Sequence, residues 1–117
     1  MVAGKLMWPS EEILRIHYDD LSDKPFFPDL IQYMNSGPVF AMVWQGKSVV
    51  KVGRLIIGAT NPLESSPGTI RGDYSVDVGR NLVHGSDSLE SASKEISLWF
   101  GQDLLAYDMC NSSWVFE

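Results

Sequence analysis

With 117 residues, the chain is long enough for one domain with a single hydrophobic core and too short for two. Its composition, 44% apolar and 21% charged, excludes a disordered chain, and its net charge of −6 argues against a surface that coats nucleic acid. It has no apolar run of membrane-spanning length and one cysteine, Cys110, so internal disulfides are excluded and a cytoplasmic location is expected.

The first part of the chain predicts a strand and then a helix. Residues 2–7 alternate partly between apolar and polar side chains, which favours a short strand. Residues 9–21 predict a helix, because Ser10 can cap it and acidic residues follow in its first turn. The helix has an apolar and aromatic face formed by Ile13, Leu14, His17, Tyr18 and Leu21.

A second helix, a second strand and a third helix follow. The second helix is predicted to begin near Pro28 and to end by Gly37. Residues 38–44 are a continuous apolar run, which predicts a strand buried on both faces. Residues 48–58 predict the third helix.

The last part of the chain alternates between loops and regular elements. Residues 60–80 are rich in proline and glycine and predict a long ordered loop with a turn of helix. Residues 81–84 predict a short buried strand, and residues 88–100 predict a helix with apolar side chains at three- and four-residue steps. The tail, 101–117, ends in apolar residues, which we expect to dock on the body of the protein or on a neighbouring subunit. Alternating helices and strands indicate an α/β or α+β fold.

His84 stands where the predicted strand meets a polar turn, in a chain with only two histidines. It is either a partly buried structural histidine or a nucleophile or metal ligand, whereas His17 is interpreted as structural. Three of the four arginines, Arg54, Arg71 and Arg80, fall within 27 residues just upstream of His84 and could bind a small polyanion through paired hydrogen bonds. The alternative is that they form ion pairs with Glu64, Asp73 and Asp77.

Residues 81–89, "NLVHGSDSL", resemble the signature of nucleoside diphosphate kinases, in which the histidine carries a phosphoryl group. The resemblance continues in order and spacing through "HYDDLSDKPFF", "YMNSGPVFAMVW", "VVKVGR", "TNP", "PGTIRGDY", "KEISLWF" and "WVFE". One motif would be weak evidence, but this many collinear segments identify the family.

The resemblance implies a ping-pong transfer of the γ-phosphate from a nucleoside triphosphate to a nucleoside diphosphate through phospho-His84. Glu95 matches the glutamate that holds the other ring nitrogen. The implied cofactor is Mg²⁺ bound with the nucleotide, and the implied substrates are ATP and other nucleoside di- and triphosphates. The positions that match the family's substrate-binding residues are Tyr18, Phe26, Leu30, Arg54, Thr60, Arg71, Val78, Asn81, Gly85 and Ser86.

Among these positions, Arg54, Arg71 and Thr60 match the phosphate-binding residues, Asn81 matches the ribose contact, and Phe26 matches the aromatic on which the base stacks. For Gly85 and Ser86, a tight turn and a helix cap coincide with room and a hydrogen bond beside the histidine.

The resemblance also implies an α+β fold with a ferredoxin-like antiparallel sheet covered by helices. Family members begin upstream, with a strand, a Lys-Pro-Asp-Gly motif and a helix. We therefore expect residues 1–117 to form one N-terminally truncated domain that lacks the first, internal strand. A homo-oligomer, hexamer or tetramer, is expected. The alternative function is a catalytically impaired isoform that binds nucleotide or assembles with full-length subunits.

Overall fold

The computed structural model describes all 117 residues, which form a two-stranded antiparallel sheet, six α-helices and three short 3-10 helices. Strand β1 is Ala3–Met7 and strand β2 is Val39–Val43. Their register places Ala3 opposite Val43 and Met7 opposite Val39. Helices with a small antiparallel sheet make the fold α+β, as expected. The larger ferredoxin-like sheet with a missing internal strand stays a prediction.

Ser10 caps the first helix, as predicted. The helix of residues 89–100 is capped by Ser88, so the predicted helix cap at Ser86 is wrong, and the hydroxyl of Ser86 donates to Glu95 instead. Ser10 accepts a hydrogen bond from the backbone of Ile13, and Ser88 accepts one from the backbone of Ser91. No helix in the fold combines the length and the apolar character that a membrane crossing requires. The six helices are α1 (Glu11–His17), α2 (Phe27–Met34), α3 (Val49–Ile57), α4 (Ile70–Tyr74), α5 (Leu89–Phe100) and α6 (Ser112–Val115).

Two small apolar clusters hold these elements together. One consists of Val2, Val43 and Phe100 and joins α5 to the sheet. The other joins α1 to α2 and consists of Leu14, Phe27 and Ile31. Trp99 packs against both clusters, so α5 is fixed between the sheet and the first two helices. This placement brings the middle of α5 next to the end of α1.

The segment 81–84 is not a strand, contrary to its apolar sequence. Leu82 has a φ of 69°, a left-handed conformation that breaks an extended chain. The carbonyl of Val83 accepts a hydrogen bond from Arg71, and its N–H donates to the carbonyl of Asn81. Because these groups are engaged locally, they are not available to a sheet ladder.

Strand β2 is buried on one face only, so the prediction of burial on both faces is wrong. Phe40 and Met42 point to the other face, where each is at least half exposed. Only alternate residues of the apolar run are therefore buried, as in an antiparallel strand that is covered on one face.

Only the first part of the tail contacts the body of the protein, so the expectation that its terminal apolar residues dock there is wrong. Leu105 and Tyr107 make hydrogen bonds with the backbone of Val2 and Met1, respectively. Beyond them the terminal apolar side chains remain exposed, Trp114 by 88%. Contact with a neighbouring subunit stays a prediction.

Candidate active site

His84 lies in the irregular segment between α4 and α5, and its side chain is 39% exposed. Its Nε2 is 2.7 Å from Oε1 of Glu95. Glu95 is about two turns into α5, so the helix carries its carboxylate back to the ring. Because an ionised carboxylate only accepts hydrogen bonds, the ring proton is on Nε2. Nδ1 of His84 therefore keeps a free lone pair.

The carboxylate of Glu95 is held at both oxygens. Oε1 accepts from His84, and Oε2 accepts from the hydroxyl of Ser86. Burial on its own would raise the pKa of Glu95, but the hydrogen bonds from His84 and Ser86, with the nearby histidine charges, lower the pKa overall. Glu95 is therefore an anion at neutral pH.

Two arginines bind the backbone on either side of His84. Arg54 donates from Nη1 to the carbonyl of Gly85 at 2.9 Å, and Arg71 donates from Nη2 to the carbonyl of Val83 at 2.7 Å. The structure therefore places both guanidinium groups next to the histidine.

The alternative of ion pairs from these arginines to Glu64, Asp73 or Asp77 is wrong, because none of the salt bridges involves them. Arg80 lies over the ring of Tyr33, 4.4 Å from its centroid.

Arg71 is a buried cation without a counter-ion. The residue is 3% exposed, and its Nε has no hydrogen-bond partner. Burial, and next the charge of Arg54, lower its pKa from the usual value. Because an unpartnered buried donor is costly, this pair of guanidinium groups is suited to an anion.

A cleft of about 230 Å³ adjoins His84 and is also lined by Tyr18 and Asn81. The Tyr18 ring lies 6.0 Å from the His84 ring, centroid to centroid. Burial, with a smaller contribution from Glu95, raises the pKa of Tyr18 to about 12, so its phenol is neutral at pH 7. Gly85 is closely packed, since a Cβ at this position would collide with Ile57.

The remaining predicted contacts lie outside this cluster. Phe26 is 50% exposed just before α2, and Val78 is exposed to a similar extent. Thr60 is exposed in the loop and neighbours Ala59, whose carbonyl accepts a hydrogen bond from Arg71. Leu30 is half-buried on α2. None of these four side chains hydrogen-bonds to His84, Glu95 or the arginines, and their roles in nucleotide binding stay predictions.

His17 belongs to the site, which sequence reasoning missed. Its Nε2 lies 3.5 Å from Oε1 of Glu95, and its ring centroid is 4.5 Å from that of His84. The only signal in the sequence is its scarcity, since the chain has just one other histidine. Its contact with Trp99 joins residues 82 positions apart, which no local pattern reveals.

The ligand atoms of His17, His84 and Glu95 lie within 4.8 Å of one another, close enough for one metal ion. The tautomer of His17 opposes this use. Trp99 donates from Nε1 to Nδ1 of His17 at 2.9 Å, so the proton of the neutral His17 ring is on Nε2, the nitrogen nearest Glu95. A protonated nitrogen cannot ligate a metal. Within the cluster, His84 hydrogen-bonds to Glu95, and Nε2 of His17 lies 3.5 Å from the same carboxylate oxygen.

Comparison with known proteins finds the same family that the sequence motifs resemble. A family model described as "Nucleoside diphosphate kinase" matches residues 1–105. The chain is 60% identical to nucleoside diphosphate kinase B of Pongo abelii over 118 aligned residues, which cover the whole chain and 78% of that protein. The human protein of the same name is 59% identical over the same shares.

Two solved structures resemble the fold closely. The nucleoside diphosphate kinase of Encephalitozoon cuniculi superposes with a TM-score of 0.94 at 48% identity, over 98% of this chain and 78% of the other. A halophilic nucleoside diphosphate kinase of Halobacterium salinarum, solved with CDP, superposes with a TM-score of 0.93 at 47% identity, over 100% and 79% of the two chains.

Proposed function

Because the chain belongs to the nucleoside diphosphate kinase family, we propose that it transfers phosphate through Nδ1 of His84. The chain is thus a phosphotransferase that acts on nucleotides. The observation that supports His84 as the nucleophile is the 2.7 Å contact between its Nε2 and Glu95. That contact fixes the tautomer and leaves Nδ1 free to attack.

The first half of the reaction forms the phosphohistidine. Nδ1 of His84 attacks the γ-phosphorus of a nucleoside triphosphate, and the bond to the β,γ-bridging oxygen breaks as the N–P bond forms. The nucleoside diphosphate leaves with the electron pair of that bond. The ring keeps its proton on Nε2 and becomes cationic, and the Glu95 carboxylate stabilises this charge. In the second half, the terminal oxygen of another nucleoside diphosphate attacks the phosphorus and the neutral ring returns.

The remaining site residues bind the nucleotide. We propose that Arg54 and Arg71 bind the phosphates, which is supported by the unpartnered Nε of Arg71 beside a second guanidinium group. Exposure of Phe26 suits stacking of a base, a contact that tolerates any of the common bases. The other proposed contacts are Tyr18, Leu30, Thr60, Val78, Asn81, Gly85 and Ser86.

Magnesium fits this site as part of the substrate. The groups around His84 are guanidinium cations and neutral side chains, and the one carboxylate, Glu95, has both oxygens engaged. We therefore propose that nucleotide phosphates and water hold Mg²⁺, with no protein ligand. When bound, the ion neutralises part of the phosphate charge.

We also propose that the chain forms an oligomer, a hexamer or a tetramer, in the cytoplasm. One face of the sheet exposes Leu6, Phe40 and Met42, three large apolar side chains next to one another across the strands. The same face favours a second candidate function, a nucleotide-binding or assembly subunit that joins full-length family members. The cytoplasmic location is supported by the single free cysteine, Cys110.

Incubation with γ-labelled ATP tests the proposal. We expect an acid-labile label on the chain, which added nucleoside diphosphate removes and which His84→Ala abolishes. Cys110→Ala, at an exposed thiol, is the matched control and should keep the label. A label that persists in His84→Ala would contradict the proposal. Absence of label, with incorporation into oligomers of a full-length relative measured by native mass spectrometry, would support the assembly role instead.

A further inference from the structure

We infer that His17 is a positioning residue, which holds the Glu95 carboxylate against His84 by presenting an N–H to the oxygen that His84 uses. This inference rests on the proposed role of His84. His17 does not act on the phosphate itself. Its side chain is only 5% exposed, and the residues it meets are Tyr18, His84, Glu95 and Trp99.

Trp99 determines which nitrogen of His17 carries the proton. The indole Nε1 can only donate, and it lies 2.9 Å from Nδ1 of His17. Nδ1 must therefore accept, and the proton of the neutral ring is on Nε2. That nitrogen lies 3.5 Å from Oε1 of Glu95. The fold thus places the protonated nitrogen of His17, rather than one with a lone pair, beside the carboxylate.

The Glu95 carboxylate is then restrained from three sides. His84 binds Oε1, Ser86 binds Oε2, and His17 lies beside Oε1. Without His17, Oε1 has the His84 ring as its only partner, and the carboxylate and that ring can rotate together. Because transfer to Nδ1 requires one orientation of the His84 ring, loss of this restraint slows phosphorylation and leaves nucleotide binding unchanged.

The neutral state of His17 is part of this arrangement. Burial, and next the charge of His84, lower the pKa of His17 to about 4 in spite of the opposing effect of Glu95. Tyr18, the other titratable group against the ring, stays neutral at pH 7. A cationic His17 would compete with His84 for Oε1 and repel the charge that forms on the phosphorylated ring. Burial prevents this at neutral pH.

Two substitutions with opposite losses test the inference. His17→Phe keeps an aromatic ring against His84, Tyr18 and Trp99 but has no N–H. His17→Gln loses the ring but keeps an amide N–H donor. We expect His17→Phe to lower kcat by about 10-fold or more with nucleotide affinity unchanged, and His17→Gln to stay within about threefold of the native chain. Glu12→Gln, at an exposed position of the same helix, is the control.

The opposite order, with activity kept by His17→Phe and lost by His17→Gln, would show that the ring only packs and would overturn the inference. Normal labelling of His84 in the native chain separates this failure from a failure of the proposed function.

A measurement on the native chain does not depend on how the variants fold. The ¹⁵N shifts of His17 should show a proton on Nε2 and none on Nδ1 at neutral pH. A proton on Nδ1 would overturn the inference.

Discussion

Replacing Glu95 by Gln removes the negative charge that faces His84 while keeping the length and shape of the side chain. In the structure this carboxylate is 18% exposed and lies 2.7 Å from Nε2 of the ring. The ring becomes cationic during phosphorylation, so the charge contributes more to the transition state than to the resting enzyme. We therefore expect the substitution to lower kcat more than it changes nucleotide affinity.

The size of the effect on the rate can be worked out from the contact between Glu95 and His84. At the 2.7 Å of this contact, two unit charges near a protein surface interact by about 6 kcal/mol, which is an upper bound because His84 is partly exposed. Exchanging a charge-assisted hydrogen bond for a neutral one costs about 1–2 kcal/mol. A loss of about 2–3 kcal/mol lies between these limits and corresponds to a roughly 30- to 150-fold slower phosphorylation.

Rapid quenching of the chain with one turnover of labelled ATP measures this step directly. Glu90→Gln makes the same chemical change at an exposed position of α5 and serves as the control. A rate for Glu95→Gln within about twofold of that control would refute the argument that this carboxylate stabilises the charged ring.

Three further predictions concern stability and packing. His17 has a pKa of 6.5 when unfolded and about 4 when folded, so between these values the unfolded chain binds more protons and stability falls with decreasing pH. Urea unfolding should show that the free energy of unfolding falls by up to about 3 kcal/mol between pH 7 and pH 4. The part of this fall that comes from protonation of His17 should be absent in His17→Gln. Gly72→Ala should lower Tm because its Cβ would collide with the backbone carbonyl of Ser66, whereas Gly46→Ala, where a Cβ meets nothing, should leave Tm unchanged in a thermal-melting comparison. Arg71→Lys should lower the free energy of unfolding by about 2 kcal/mol, because the single nitrogen of lysine replaces the two guanidinium nitrogens that bind the carbonyls of Ala59 and Val83. An unchanged urea midpoint relative to the exposed control Arg15→Lys would count against this.

The regular elements were predictable because their signals are local. Ser10 caps α1, and both α1 and α5 carry apolar residues at helical spacing. The contact of His84 with Glu95 was also predicted, but from family resemblance rather than from periodicity.

The failures have tertiary causes. Residues 81–84 have a strand-like sequence, but Arg71 binds the carbonyl of Val83 and Leu82 adopts a left-handed conformation. The place of His17 depends on Trp99, which meets it only because α5 packs on α1. Such contacts depend on residues distant in sequence, so spacing alone cannot reveal them.

The central claim is that His84 accepts phosphate on Nδ1 while Glu95 holds Nε2. Correlated ¹⁵N and ³¹P NMR of the phosphorylated chain, labelled in its two histidines, measures this bond directly. We predict a single phosphohistidine, with coupling between phosphorus and Nδ1 of His84. Phosphorus bonded to Nε2 of His84, or to His17, would contradict the account.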